Sequence, residues 1–386
     1  MNKNLFFKLL KISPHEKKHS IDKLFLLSVI LLAFYGTLMV FSAGGPYAEA
    51  RYGDSAYFVK KQSIWLVIGS SVAYLASKVD IKLYKKYTPH FYAVTLILLI
   101  LVLAVGFVGN GAQRWISIGP LTLQPSEIAK LSMLMMIAFY FSTKEERAIN
   151  SKNNKEIFIY GTLLPAIIML APIILVMLQK HLSCIIILGT IGLLLIFSSG
   201  VKPKYIYAFC AISVLAVSYL ALFTDYTKER ITVWQNPEAY KLTGGWQTLQ
   251  GLMAIGSGGL FGVGYGKSIL KHCYVSEPAN DMIFAILCEE LGLLGGLVAI
   301  LLFAFLIWRG TTIAFRSCDV YTRLLVLGIC IKTGVQTLLN IAVVTNSIPN
   351  TGISLPFFSY GGSSLVMLFF EMGIILSASR NAILTK

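Results

Sequence analysis

One carboxylate in this sequence stands where a proton-transfer group is most useful. Asp281 ends a long polar stretch, in Ser276-Glu277-Pro278-Ala279-Asn280-Asp281, and the apolar run Met282–Leu287 begins directly after it. An acid at a helix start is favoured by the helix dipole and serves as a cap. An acid at a membrane–water boundary beneath an ordered loop can instead accept a proton from a bound hydroxyl. Upstream lies Gly256-Ser257-Gly258-Gly259-Leu260-Phe261-Gly262-Val263-Gly264-Tyr265-Gly266-Lys267, with Lys271 close behind. No strand precedes this run and its glycine–lysine ending is out of frame for a P-loop, so neither nucleotide fingerprint is met. Two readings stay open: a hinge or tight packing, or backbone N–H groups that cradle a phosphate beside the two lysines.

A second set begins with Gly111-Ala112-Gln113-Arg114-Trp115-Ile116 and Gln124-Pro125-Ser126-Glu127-Ile128-Ala129-Lys130. Glu127 and Lys130 are three residues apart, on one helix face, where they can pair; alternatively Lys130 or Arg114 lines a groove for an anionic head group. His181, Glu289, Glu290, Lys332 and Glu371 also interrupt apolar runs. An unpaired charge near mid-bilayer costs on the order of 3 kcal/mol or more, so each is expected to face the bundle interior. Asn340 and the stretch Pro349-Asn350-Thr351-Gly352 through Ser359-Tyr360-Gly361-Gly362-Ser363-Ser364 form a polar break before the last apolar run. Such irregular backbone is tolerated at membrane depth only where it lines a cavity or packs on protein.

The elements that must position these residues are membrane helices. The chain has 386 residues, 56% hydrophobic and 13% charged, with a mean hydropathy of +0.72. That is half the charge of an ordinary globular protein, which excludes a cytosolic enzyme, a disordered tail and a disulfide scaffold. About ten spans are expected, at 24–43, 62–77, 91–108, 124–142, 157–178, 182–199, 205–223, 281–308, 323–345 and 362–379. The first resembles a signal peptide, but its 20 residues exceed a usual signal core, so it is read as a retained span. The strand alternation of a membrane barrel is absent. The fold class is therefore all-α and polytopic: a segment 1–23, a membrane domain 24–379 and a tail 380–386.

The net charge of +15 does not indicate nucleic acid, because the basic residues cluster between apolar runs, where they set orientation. They place both termini in the cytoplasm, although Lys60-Lys61 run against the trend. This orientation leaves the 57-residue connection 224–280 on the outer face, far longer than ordinary helix links. With Trp234, Trp246 and the apolar stretch Leu249–Ile255, it is expected to be ordered and partly re-entrant. The segments 44–61, 109–124 and 346–361 fall on the same side. Six cysteines form no CxxC pair and suggest neither a metal site nor a disulfide framework.

Taken together, the motifs resemble the SEDS family (shape, elongation, division and sporulation). Its patterns GAxRWI, QPSExxK, GxQ with AxGxGGxxGxGxG, NDxIFAxxxEELG and PxTGxxLPFxSYGGSS occur here in order across 111–364. The resemblance implies a ten-helix membrane glycosyltransferase that polymerises lipid II into peptidoglycan at the outer face. It implies partnership with a class B penicillin-binding protein and other division, elongation or sporulation proteins. The family's essential loop acid falls on Asp281. Arg114, Lys130, Lys271, Gln247 and Ser359 are then candidate substrate-binding residues, and Glu127, Glu289 and Glu290 candidate structural partners. Two departures stand out. Ala279 replaces the family's histidine and Met282 its phenylalanine, and the frequent QPDLGT motif reads Gln179-Lys180-His181-Leu182-Ser183-Cys184, without its acid. No cofactor is assigned; a divalent cation, Mg or Mn, is the one candidate, sharing the pyrophosphate's charge. The competing functions are a lipid II flippase, which needs a polar route and alternating access, and a non-catalytic scaffold.

Overall fold

The computed structural model describes residues 20–109, 112–118, 121–202, 204, 207, 225–272, 274–275 and 278–381. Among them the long helices are α1 (Lys23–Tyr52), α2 (Tyr57–Lys78), α3 (Ile81–Val105), α4 (Pro125–Glu145), α5 (Asn154–Leu178) and α6 (Leu182–Ser198). Two shorter ones follow, α7 (Asp225–Gln235) and α8 (Trp246–Gly258), and then α9 (Ile283–Arg316), α10 (Val320–Val344) and α11 (Gly362–Asn381). Nine of the ten expected spans are thus helices; the tenth, 205–223, lies outside the described residues except for Tyr207, as do 1–19 and 382–386. Six of the helices are long and apolar enough to cross a bilayer by length and composition. The protein is a polytopic, all-α membrane protein, and Phe34, Ile64 and Leu301 stand exposed on its flanks where lipid replaces water.

The expected outer segment 109–124 is more regular than its sequence suggests. β1 (Phe107–Gly109), β2 (Ala112–Ile118) and β3 (Leu121–Leu123) form an antiparallel meander that pairs Phe107 with Trp115 and Ile116 with Leu123. It bridges the end of α3 and the start of α4 while satisfying its own backbone groups.

Two sets of contacts define the ends of the bundle. At one, Asp22 caps α1 by accepting from the Phe25 amide, receives the Arg309 guanidinium at 2.8 Å, and its own amide donates to Ser379. Both ends of the described chain therefore meet at one end of the bundle. At the other, Arg114 donates to the Lys180 carbonyl, Ser183 to Thr351, Trp234 to Asn346, and the Tyr360 amide to Ala279. The segments expected to share a face do so.

The largest departure from the sequence reading is in α9. Gly292 adopts φ +67° and breaks the helix within Glu289-Glu290-Leu291-Gly292. A broken helix exposes carbonyls and amides that need partners. The glycine-rich loop supplies them: Val263 and Gly264 amides donate to the Glu289 and Glu290 carbonyls, and Leu293 and Leu294 amides donate to Gly259 and Leu260. The approach is so close that a Cβ on Gly262 would lie 2.2 Å from the Glu290 carbonyl oxygen. The glycines serve tight packing, and the amides of Val263 and Gly264 are committed to backbone rather than to a phosphate.

Candidate active site

The loop that ends in Asp281 is fastened from three sides. Ser359 donates its hydroxyl to the Asn280 carbonyl at 2.7 Å and accepts from the Leu355 amide at 2.7 Å. Asn340, on α10, donates to the carbonyls of Asp281 (2.9 Å) and Ile353 (2.7 Å), joining the loop to the 346–361 break. The Tyr360 amide holds Ala279 at 2.8 Å. The backbone at Asp281 is fixed by these bonds while its side chain stays partly exposed at the start of α9.

The Asp281 carboxylate faces Gln247 of α8. The Gln247 amide nitrogen lies 3.4 Å from both carboxylate oxygens, and its own oxygen accepts from Asn350 at 3.2 Å. Asn350 in turn accepts from the Gly352 amide at 3.1 Å, and its carbonyl receives the Arg230 guanidinium. Gly352 has φ +66°, and a Cβ there would come within 3.7 Å of the carboxylate. A hydrogen-bonded row from α7 through the 350–352 turn and α8 thus orients the acid and leaves its open side free of added bulk. Arg230 carries no signal in the sequence; Asn350 belongs to the polar break and its Pro-Asn-Thr-Gly turn, but its pairing across 103 residues to Gln247 is not legible there.

The other candidate residues gather elsewhere. Lys130 is buried, with its ammonium 2.8 Å from Glu127 and 3.5 Å from Gln336. Lys332 pairs with Glu371 at 2.5 Å, so four buried charges close on one another as two ion pairs. Beneath the Ser359 segment, Glu127, Lys332, Gln336 and Ser354 help line a cavity of about 20 Å³, room for a single water. Lys271 is also buried: its ammonium meets Glu290 at 2.8 Å, the Gly266 carbonyl at 2.8 Å and Ser42 at 3.1 Å. Glu290 further accepts from Ser42 at 2.6 Å, and Glu289 from the Ser268 hydroxyl and the Ile269 amide. Glu127, Glu289 and Glu290 are therefore partners in buried networks. The charges of Lys130 and Lys271 are committed to those networks, which moves both lysines from the surface of a ligand groove to its framework.

Arg114 sits at the edge of the same face, its guanidinium 2.8 Å from the Lys180 carbonyl. His181 adjoins it, 3.5 Å from the Ser126 hydroxyl, and burial followed by repulsion from Arg114 pushes its pKa down to about 3. His181 is thus a neutral polar group at physiological pH and supplies no anion in place of the missing acid. Among the described residues no three His, Cys, Asp or Glu side chains converge as metal ligands.

The family model for FtsW, RodA and SpoVE, described as "Cell cycle protein", matches residues 22–383. Stage V sporulation protein E of Bacillus subtilis (strain 168) is 36% identical over 367 residues, covering 94% of this chain and 98% of its own. A probable peptidoglycan glycosyltransferase FtsW of Geobacter metallireducens is 33% identical, covering 93% and 94%. Among solved structures, the rod shape determining protein RodA of Thermus thermophilus superposes with a TM-score of 0.69 at 26% identity, over 94% of this chain and 97% of that one. A chain of a peptidoglycan synthase complex reaches a TM-score of 0.77 at 24% identity, over 93% and 98%. The ordered motifs, the helix arrangement and these full-length similarities agree: the chain belongs to the FtsW/RodA/SpoVE family.

Proposed function

We propose that this protein is a peptidoglycan glycosyltransferase that polymerises lipid II at the outer face of the bacterial cytoplasmic membrane, with Asp281 as its general base. The observation that carries the reading is the setting of Asp281: backbone pinned by Asn340, flanks held by Ser359 and Tyr360, carboxylate partly exposed and oriented by Gln247. In this reading both termini lie in the cytoplasm, opposite the loop, as the distribution of basic residues requires.

A lipid-linked sugar pyrophosphate carries its own leaving group, so one base suffices where a glycosidase uses two carboxylates. Asp281 takes the proton of the acceptor's 4-hydroxyl as that oxygen attacks the donor's anomeric carbon, and the C–O bond to the pyrophosphate breaks with inversion. A positioned base of this kind contributes 10²–10⁴-fold, about 3–5 kcal/mol of barrier. Arg114, at the edge of the same face, meets the departing pyrophosphate. Gln247 orients the base, Ser359 fixes its loop, and Lys130 and Lys271 brace the framework through Glu127 and Glu290. The strands are passed to a class B penicillin-binding protein for crosslinking. Purified protein with labelled lipid II tests the reading: glycan strands support it, whereas translocation across vesicles without polymer supports a flippase, and neither outcome a scaffold.

A further inference from the structure

Lys60 and Lys61 oppose the orientation that the other basic residues specify, and the catalytic reading above gives them no role. They lie on the shoulder between α1 and α2, inside a cluster of rings. Tyr52 and Tyr57 stack with centroids 4.0 Å apart at 13°, Tyr47 lies against Phe58, and Phe58 meets Tyr360 edge-on at 4.8 Å. Arg51 hydrogen-bonds the Tyr47 hydroxyl at 2.7 Å. Lys61 does the same for Tyr57 at 2.6 Å while sitting 4.4 Å from that ring's centroid. Asp54 is neutralised by Lys60 at 2.8 Å.

We propose that this shoulder is a saccharide-binding platform on which the glycan strand rests as it leaves Asp281; the inference builds on the glycosyltransferase reading above. Two observations favour a strand over a plain interfacial anchor. First, the cluster is continuous with the site, because Tyr360 touches Phe58 on one side and holds Ala279, two residues from Asp281, on the other. Second, tyrosines that only anchor a helix direct their hydroxyls to water or head groups. Here Tyr47 and Tyr57 are held by cations one helical turn away, which fixes the rings in advance. The C–H faces of pyranose rings pack on aromatic rings, which supply large rigid apolar surfaces, and Arg51 and Lys61 suit the carboxylates of the strand's peptides.

The test separates this platform from the reaction. Asp281→Asn protein in lipid nanodiscs is titrated with size-defined, uncrosslinked glycan strands made by another polymerase. Tyr52→Ala with Tyr57→Ala is expected to weaken binding at least tenfold, and Lys61→Ala at least threefold, with thermal midpoints unchanged. Tyr52→Phe with Tyr57→Phe should stay within threefold. In protein that retains Asp281, the double alanine variant should yield strands several-fold shorter. The proposal is overturned if the parent protein binds no strands, or if the alanine variants alter only membrane insertion or thermal stability. Strand binding by a protein that makes no polymer would leave the platform standing and refute the catalytic reading alone.

Discussion

Lys271 is where the structure and a direct substrate role make opposite predictions. Its ammonium lies 2.8 Å from Glu290, whose side chain is fully buried, and its remaining hydrogens meet Ser42 and Gly266. Lys271→Met leaves that carboxylate in the protein interior with only hydroxyl and amide donors. Breaking a buried pair from one side costs about 3–5 kcal/mol, whereas replacing both partners by apolar groups is often neutral or stabilising. Lys271→Met is therefore expected to lower the thermal midpoint in detergent sharply and to abolish polymerisation. Lys271→Met with Glu290→Leu should recover most of both, with a coupling energy of about 2–4 kcal/mol in the double-mutant cycle. The assay is thermal unfolding alongside lipid II polymerisation for the parent, both single variants and the double. A double variant that is as stable as the parent but as inactive as Lys271→Met would refute the framework role and return Lys271 to the substrate.

Further expectations follow from the same contacts. Gly262→Ala places a methyl 2.2 Å from the Glu290 carbonyl at φ +81°. Neither backbone can yield without losing the loop's bonds to α9, so a loss of at least about 2 kcal/mol is expected, seen as faster proteolysis of the 259–271 loop; parent-like resistance would contradict the docking. His181 is neutral in the fold, with its pKa near 3 against 6.5 when unfolded. Its contribution is complete above pH 6.5 and declines as the pH falls toward 3, because the unfolded chain binds the proton first. Acidification from pH 7 to 5 should cost at most about 2 kcal/mol through this group. His181→Gln should flatten that part of the profile of thermal midpoint against pH, and an unchanged slope would count against the burial of His181.

The helical frame was largely legible because apolar runs of membrane length have few other fates: the described α1, α5, α6 and α10 begin within three residues of their expected spans. The long loop's apolar stretch Leu249–Ile255 lies within α8. Asp281 was legible from its place between polar loop and apolar run. What stayed hidden depends on contacts between distant residues. Glu289-Glu290-Leu291-Gly292 reads as helix interior, and only the docked glycine loop, some 30 residues earlier, shows why the helix breaks there. Likewise Lys332 and Glu371 sit 39 positions apart on two helices; spacing said that each needed a partner, not which one. Gln247 and Ser359 were carried by family resemblance, and their separate tasks, orienting the carboxylate and pinning the main chain, emerge only from the hydrogen bonds.

The decisive experiment replaces one oxygen of the proposed base. Asp281→Asn keeps the shape of the side chain, and the loop's anchors at Asn340, Ser359 and Tyr360 act on the main chain. Purified in detergent and given labelled lipid II, the variant should unfold at the parent's temperature and form glycan strands at least about a hundredfold more slowly than the parent. Polymerisation at a rate within a few-fold of the parent's, by a variant shown to be folded, would contradict the assignment of Asp281 as the base.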